Sequence, residues 1–374
     1  VTDLIALRRQ LHAHPELGRQ EHQTTALLCS VLAELNPRVL KGGTGLVADI
    51  GTDGPLVVLR ADIDALPLQD EKDVPYRSQN DGVCHACGHD VHTAVVVGAG
   101  LALAAQPLPG RVRLLFQHAE ELLPGGALDV IDEGLLEGAT AIFGLHCDPS
   151  LEVGLVGLKS GPLTAAADLV EVRLTGPGGH TSRPHNTVDL VHALSSVATG
   201  LPDALSRLVD PRAGLCMVWG HIGAGNANNA IPRLGTLRGT LRVLDKAAWE
   251  RAPAMVEQLV QDLVAPFGAE AAVTYERGVP PVVNDVGATS VLSIAVRTAL
   301  GPSAAVPTSQ SLGGEDFAWY LQHVPGAMAR LGVKPVGAAT TMDLHQPAFD
   351  VDEAAIDVGV RVLVAAALGA LATM

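Results

Sequence analysis

The sequence predicts an α/β protein. A discontinuous domain with a mostly parallel central sheet flanked by helices is interrupted by a smaller α+β domain of ferredoxin-like βαββαβ order. Three observations predict this. Strand-like and helix-like stretches alternate through the first part of the chain, which favours a largely parallel sheet. PLVVLR at 55–60 is a nearly continuous apolar run, as in a strand covered on both faces. Near residue 160 the alternation gives way to strand, helix, strand, strand, helix, strand.

The elements follow in order. Residues 3–14 and 22–35 space Leu, Ile and Ala as helices do, and HPELGRQE between them carries a Pro and a Gly, so it reads as a turn. LVADI and PLVVLR are strands, 91–105 a helix, RVRLLFQ a strand, 126–135 helical and TAIFGL a strand. KSGPLTA is a hinge. Beyond it come strand 166–175, helix 187–207, strands 214–222 and 234–244, helix 246–266 and strand 271–277. Helix 286–300, strand 327–333 and a terminal helix after Asp352 complete the chain. The expected domains are 1–162 with 279–374, and an inserted 163–278.

Bulk properties narrow the function. With 374 residues the chain is long enough for two domains and a large core. A formal net charge of −15 repels phosphate backbones, so nucleic acid is not an expected partner. The apolar C-terminal stretch carries Asp357 and Arg361 and reads as a buried helix, not a membrane span. Asp3 and Arg8 interrupt VTDLIALRRQ, so it does not read as a signal peptide. Five cysteines at irregular spacing argue against a disulfide framework and for a reducing cytoplasm.

Polar clusters follow the predicted strands, where open α/β sheets bind ligands. Asp62 and Asp64 follow PLVVLR; His118, Glu120 and Glu121 follow RVRLLFQ; His146 follows TAIFGL; His345 comes after the strand near 330. Upstream, CHACGHDVH at 84–92 puts Cys87 and His89 on either side of Gly88, whose turn can converge them. Thiolate and imidazole mixed with carboxylate suit zinc, manganese or cobalt better than magnesium or calcium. Five donors (Cys87, His89, Glu121, His146 and His345) exceed what one structural zinc takes, and fit a two-metal site with a bridging group and ions roughly 3.5–4 Å apart. Of the adjacent Glu120 and Glu121, one can ligate while the other serves as a base.

In order along nearly the whole chain stand LHAHPELGRQE, LRADIDALP, CHACGHDVH, FQHAEE, FGLHC, GPGGHTSRPH, NNAIP, GGEDF and LHQPAFDVDE. With this ordered set the chain resembles the co-catalytic metal amidohydrolases: aminoacylases, hippurate hydrolases, indoleacetyl-amino-acid hydrolases and related carboxypeptidases. ACGHD points to their branch with a cysteine ligand. The resemblance implies two divalent cations per subunit (zinc, manganese, cobalt or nickel) held by Cys87, His89, Glu121, His146 and His345. It implies Glu120 as general acid/base beside a metal-bound hydroxide that hydrolyses N-acyl amino acids or short peptides. Asp64, and with it Asp62 and Asp90, is implied to orient groups of the site from behind the ligands. His180 is implied to steady the oxyanion, Asn229 and Arg242 to bind substrate, and the inserted domain to serve as lid and homodimer interface. The sequence departs from the family at His118, where proline is usual, and at Cys84 and Cys147, which have no family role.

Blander readings stand beside these. By itself Arg242 reads first as a surface strand charge, Asn229 also as a turn residue before Pro232, and His180 equally as a turn cap next to Gly178 and Gly179. Glu315 and Asp316 read as an N-cap pair for a helix at 317–322. His12, His14, His92 and His118 are expected to be solvated or hydrogen-bonded. A Cys–His nucleophile would need neither Glu120 nor His345. A metal- or partner-binding protein without catalysis would need no base.

Overall fold

The computed structural model describes residues 2–373. Contacts divide the chain into two units: Val1–Gly161 with Val283–Ser309 and Asp316–Met374, and Pro162–Val282 with Gln310–Glu315. The short segment Gln310–Glu315 is a correction to the sequence reading, which assigned it to the larger domain. Backbone pairing explains it: Ala165 donates to Ser311, Ser311 to Leu163, and Thr164 bridges to Ser311.

The larger unit is built on an eight-stranded sheet. From edge to edge it runs Arg38–Val39, Leu46–Ile50, Arg111–Gln117, Leu56–Asp62, Ala139–Glu152, Gly326–Lys334, Val156–Leu158 and Ala305–Pro307. The four central strands pair in parallel, so their carboxyl ends share one rim. Every residue of Leu56–Asp62 is buried, as the apolar run PLVVLR requires. Helices Leu4–Ala13, His89–Ala104, Val286–Leu300 and Ala354–Ala372 flank the sheet. The last is long and apolar enough to cross a membrane by length and composition, but Ile356, Val362, Leu363, Ala366 and Ala367 lie buried in the core.

Aspartates start two of these helices. Asp3 accepts from the N–H of Ala6, and Asp285 from that of Ala288, each satisfying a donor that the first helical turn leaves unpaired. Asp189 and Asp245 do the same for helices Leu190–Leu208 and Lys246–Val264 of the smaller unit. There the antiparallel sheet order Cys216–Ala224, Leu234–Val243, Ala166–Thr175, Glu270–Val279 is the ferredoxin-like one. Its buried Asp168 accepts from Trp249 Nε1, Tyr275 Oη and the Gly278 N–H, which satisfies a carboxylate the core would otherwise reject.

Two local expectations need correction. The strand read as TAIFGL runs on to Glu152, so His146 sits inside it, opposite Arg330 of the neighbouring strand. Asp316 precedes a helix of only four residues, Phe317–Tyr320, and does not cap it with its side chain. Its carboxylate instead accepts from Arg60 Nη2, Gln117 Nε2 and the Ala127 N–H, because the buried guanidinium of Arg60 demands a charged partner.

Candidate metal centre

Cys87 and His89 flank Gly88, the N-cap of helix His89–Ala104. Gly88 has φ +87°, a left-handed backbone that a side chain would strain, and a Cβ there would lie 2.7 Å from Cys147 Sγ. The turn thus depends on glycine for two reasons, and it delivers both donors to the start of one helix. Cys87 Sγ then lies 3.6 Å from His146 Nε2.

Hydrogen bonds behind the imidazoles decide which nitrogen faces the centre. His89 Nδ1 donates to the carbonyl of Asp64 at 2.9 Å, leaving Nε2 buried without a hydrogen-bond partner. His146 Nδ1 donates to the carbonyl of Cys147 at 2.8 Å, so its Nε2 is also the basic nitrogen. Glu121 is held by its own N–H, which donates to Asp64 Oδ2 at 2.9 Å. Its Oε1 is buried without a hydrogen bond, 3.3 Å from His345 Nε2. His345 has φ +62°, and its N–H donates to the Ala86 carbonyl, which ties this distant residue to the CHACGHD loop. Asp64 therefore touches two of the expected ligands, one through its carbonyl and one through its carboxylate.

The donors form overlapping groups. Cys87, His89 and His146 place donor atoms within 4.8 Å of one another, and so do Cys87, Glu121 and His345. Cys87 belongs to both. Glu120 adds a carboxylate oxygen 3.9 Å from His89 Nε2. These donors fit a pair of divalent cations: the unpartnered Nε2 of His89 and Oε1 of Glu121 are buried polar atoms that a cation would satisfy. Burial, with the charge of Glu121 adding to it, pushes the Cys87 thiol above its ordinary value, and a ligated cation acts in the opposite sense. The neighbouring Cys87 and Glu121 push His345 up to about 10. Burial lowers His146 well below its usual range, with the charge of Arg330 reinforcing it, which keeps the ring neutral as a ligand must be.

Asp62 and His92 form a relay behind His146. His92 Nδ1 donates to Asp62 Oδ1 at 2.6 Å, and His92 Nε2 accepts the Cys147 N–H at 2.8 Å. Arg60 Nη1 closes the relay on Asp62 Oδ2 at 2.7 Å. The sequence reading left His92 unassigned; its one signal is a helical position three residues after His89, on the same side of that helix. Asp90 does not touch these ligands' side chains. Its Oδ2 receives Arg8 Nε and His12 Nδ1, each at 2.7 Å, and anchors the first helix of the chain. Cys84, also buried, lies 3.6 Å from Lys72 Nζ.

In the smaller unit, Gly179–His180 pairs with Ala230–Ile231, and the Thr181 N–H donates to the carbonyl of Asn229. His180 and Asn229 are therefore neighbours, both exposed. Arg242 is not with them. It pairs with Ala167, eight residues along the strand from the Leu234–Thr175 pair that lies nearest their loops, roughly 25 Å away at the usual rise. Its Nη1 donates to the Leu312 carbonyl.

Known proteins share the sequence pattern and the fold of this chain. The pattern of peptidase family M20/M25/M40 matches residues 58–369. A Rhodococcus jostii protein named for glutamate–cysteine ligation is 47% identical over 365 residues, 97% of this chain, and the chain spans 46% of that protein's length. A Bacillus subtilis N-acetyl-L-cysteine deacetylase is 39% identical over 94% of this chain and 84% of its own. The crystal structure of a Bacillus subtilis dinuclear metal-binding peptidase of the M20 family superimposes with a TM-score of 0.87 at 35% identity, over 99% of this chain and 98% of the other.

Proposed function

The chain belongs to peptidase family M20/M25/M40, and from that premise we propose that it is a metal-dependent amidohydrolase that cleaves N-acyl amino acids or short peptides. One observation carries the proposal: two three-residue donor groups share Cys87, and the carboxylate of Glu120 stands beside them. Cys87, His89 and His146 would hold one cation, and Cys87, Glu121 and His345 the other. When bound, such a pair polarises the scissile carbonyl and acidifies water near neutral pH.

The chain's own residues do the rest. Glu120 accepts the proton that the attacking water loses, then delivers it to the amide nitrogen as the C–N bond breaks, so a carboxylic acid and an amine leave with the charge balanced. Asp64 keeps His89 and Glu121 in place through the bonds described above. His180 donates to the oxyanion. Supporting this, the Ser182 N–H donates to His180 Nδ1 at 3.1 Å, which leaves the proton of the neutral ring on Nε2. Asn229, next to it, binds substrate.

The finer points belong to the same proposal. Zinc, manganese, cobalt or nickel suits the donor set. The protein acts as a homodimer through residues 163–278, and in a cytoplasm, where a site thiolate stays reduced. Relatives named for N-acetylcysteine put that compound first among substrates to try.

Metal analysis with a panel of acetyl-, benzoyl- and longer acyl-amino acids tests the proposal, with Glu120→Gln as the decisive variant. It should keep its metal and lose turnover by about 100-fold or more. Near-normal turnover would refute the role of Glu120. Activity that survives a chelator would favour a cysteine nucleophile instead.

A further inference from the structure

Glu21 is fully buried, yet only one of its two carboxylate oxygens is satisfied. It stands at the N-cap of helix His22–Val31 without capping it. One oxygen, Oε2, has no hydrogen-bond partner, and burial raises the pKa of the group. An apolar side chain would be the easier occupant. The other oxygen, Oε1, accepts the backbone N–H of Ala119 at 2.8 Å.

Ala119 holds φ +53°, a left-handed conformation unfavourable for alanine. It lies between the strand Arg111–Gln117 and the carboxylate pair Glu120 and Glu121. Such a conformation persists only where neighbours enforce it. Glu21 takes the N–H of Ala119, and the carbonyl of Ala119 accepts from Gly126. His118 supplies a second arm: its Nδ1 faces the Thr44 carbonyl at 3.0 Å, and its Nε2 faces Asp129 Oδ2 at 2.8 Å. Both arms are tied to one loop. The Glu21 carbonyl accepts from Thr25 Oγ1, which in turn accepts from the N–H of Gly45, the neighbour of Thr44.

We propose that Glu21 is a positioning residue for the hydrolysis: by taking the Ala119 N–H it holds the left-handed turn that sends Glu120 and Glu121 to separate tasks. The proposal rests on the roles given above to those two glutamates. Glu21 touches neither substrate nor cation; it acts through the backbone.

The test compares Glu21→Leu, which removes the acceptor, with Glu21→Gln, which keeps a carbonyl oxygen in its place. Each is made alone and in the Glu120→Gln background. Readouts are kcat and KM on the best substrate of the acyl-amino-acid panel, and zinc affinity by calorimetry. Glu21→Leu should lower kcat by about 10-fold or more with KM within about threefold, and weaken one zinc by about 10-fold. Glu21→Gln should stay within about threefold of the parent in both readouts. In the Glu120→Gln background, Glu21→Leu should cost little further turnover, because the group it positions is already disabled.

Parent-like kcat and zinc affinity in Glu21→Leu would overturn the proposal. So would an equal loss in both backgrounds, which marks a merely structural role, or a Glu21→Gln as poor as Glu21→Leu. If Glu120→Gln by itself remains active, the proton-transfer reading fails, while the Leu–Gln comparison and its zinc readout still decide the role of Glu21.

Discussion

Replacing Gly88 by alanine should damage the metal loop by two separable routes. The first is backbone: alanine at φ +87° carries a left-handed penalty of about 1–2 kcal/mol. The second is packing: the new Cβ would lie 2.7 Å from Cys147 Sγ and 2.9 Å from its Cβ. Cys147 is short, fully buried and held in a sheet, so it cannot swing aside, and overpacking of this kind costs about 1–3 kcal/mol. Together the routes predict about 2–5 kcal/mol of destabilisation, taken up by the loop that sets Cys87 against His89. Urea unfolding followed by far-UV dichroism measures the stability, and calorimetric zinc titration measures the loop. Cys147→Ala in the same background removes the Sγ contact but not the backbone penalty, so it should recover part of the loss. A Gly88→Ala protein with parental midpoint and zinc affinity would refute the argument. Full recovery by Cys147→Ala would refute its backbone half.

Other perturbations have equally definite outcomes. Asp64→Ala removes the acceptor for the Glu121 N–H and should weaken zinc by about 10–100-fold, read by competition with a chromogenic chelator. Chelation should abolish turnover, and zinc, manganese or cobalt should restore it. Stability should also report on His12. Burial opposes its charge, but Asp90 and Asp70 override that and hold its pKa up to about 10. A group raised in the folded state contributes stability that is complete below its unfolded pKa near 6.5 and is lost as pH rises through the folded value. Urea midpoints should therefore fall between pH 6.5 and about 10, with a contribution of up to ~1.4 kcal/mol per pH unit that His12→Asn removes. The same slope in that variant would show that other groups cause it.

The sequence made most of the architecture legible because its signals are local. PLVVLR is apolar at every position but Arg60, and the strand it enters, Leu56–Asp62, is buried at every position. Asp3, Asp189, Asp245 and Asp285 stand where helices begin, and each caps one. The ferredoxin-like order can be read from element order alone. Where packing decides, local signals do not suffice. His146 lies within its strand because pairing with Gly326–Lys334 extends that strand past the apolar run. Asp316 leaves the helix it precedes because Arg60, 256 residues away, claims its carboxylate.

Residue chemistry by itself determined that Cys87, His89, Glu121, His146 and His345 are the kinds of donor a pair of soft-to-borderline cations takes. Donor type belongs to a side chain wherever it sits. Convergence does not. That His89 presents Nε2 depends on the carbonyl of Asp64, and that Cys147 lies where it does depends on His92 and Asp62. The separation of Glu120 from Glu121 begins at an alanine held left-handed by Glu21, 98 residues earlier in the chain. Such contacts join residues whose spacing carries no periodic signal, so only the folded chain could assign them. The enclosing core makes them decisive, because a buried polar group must find its partner there or destabilise the fold.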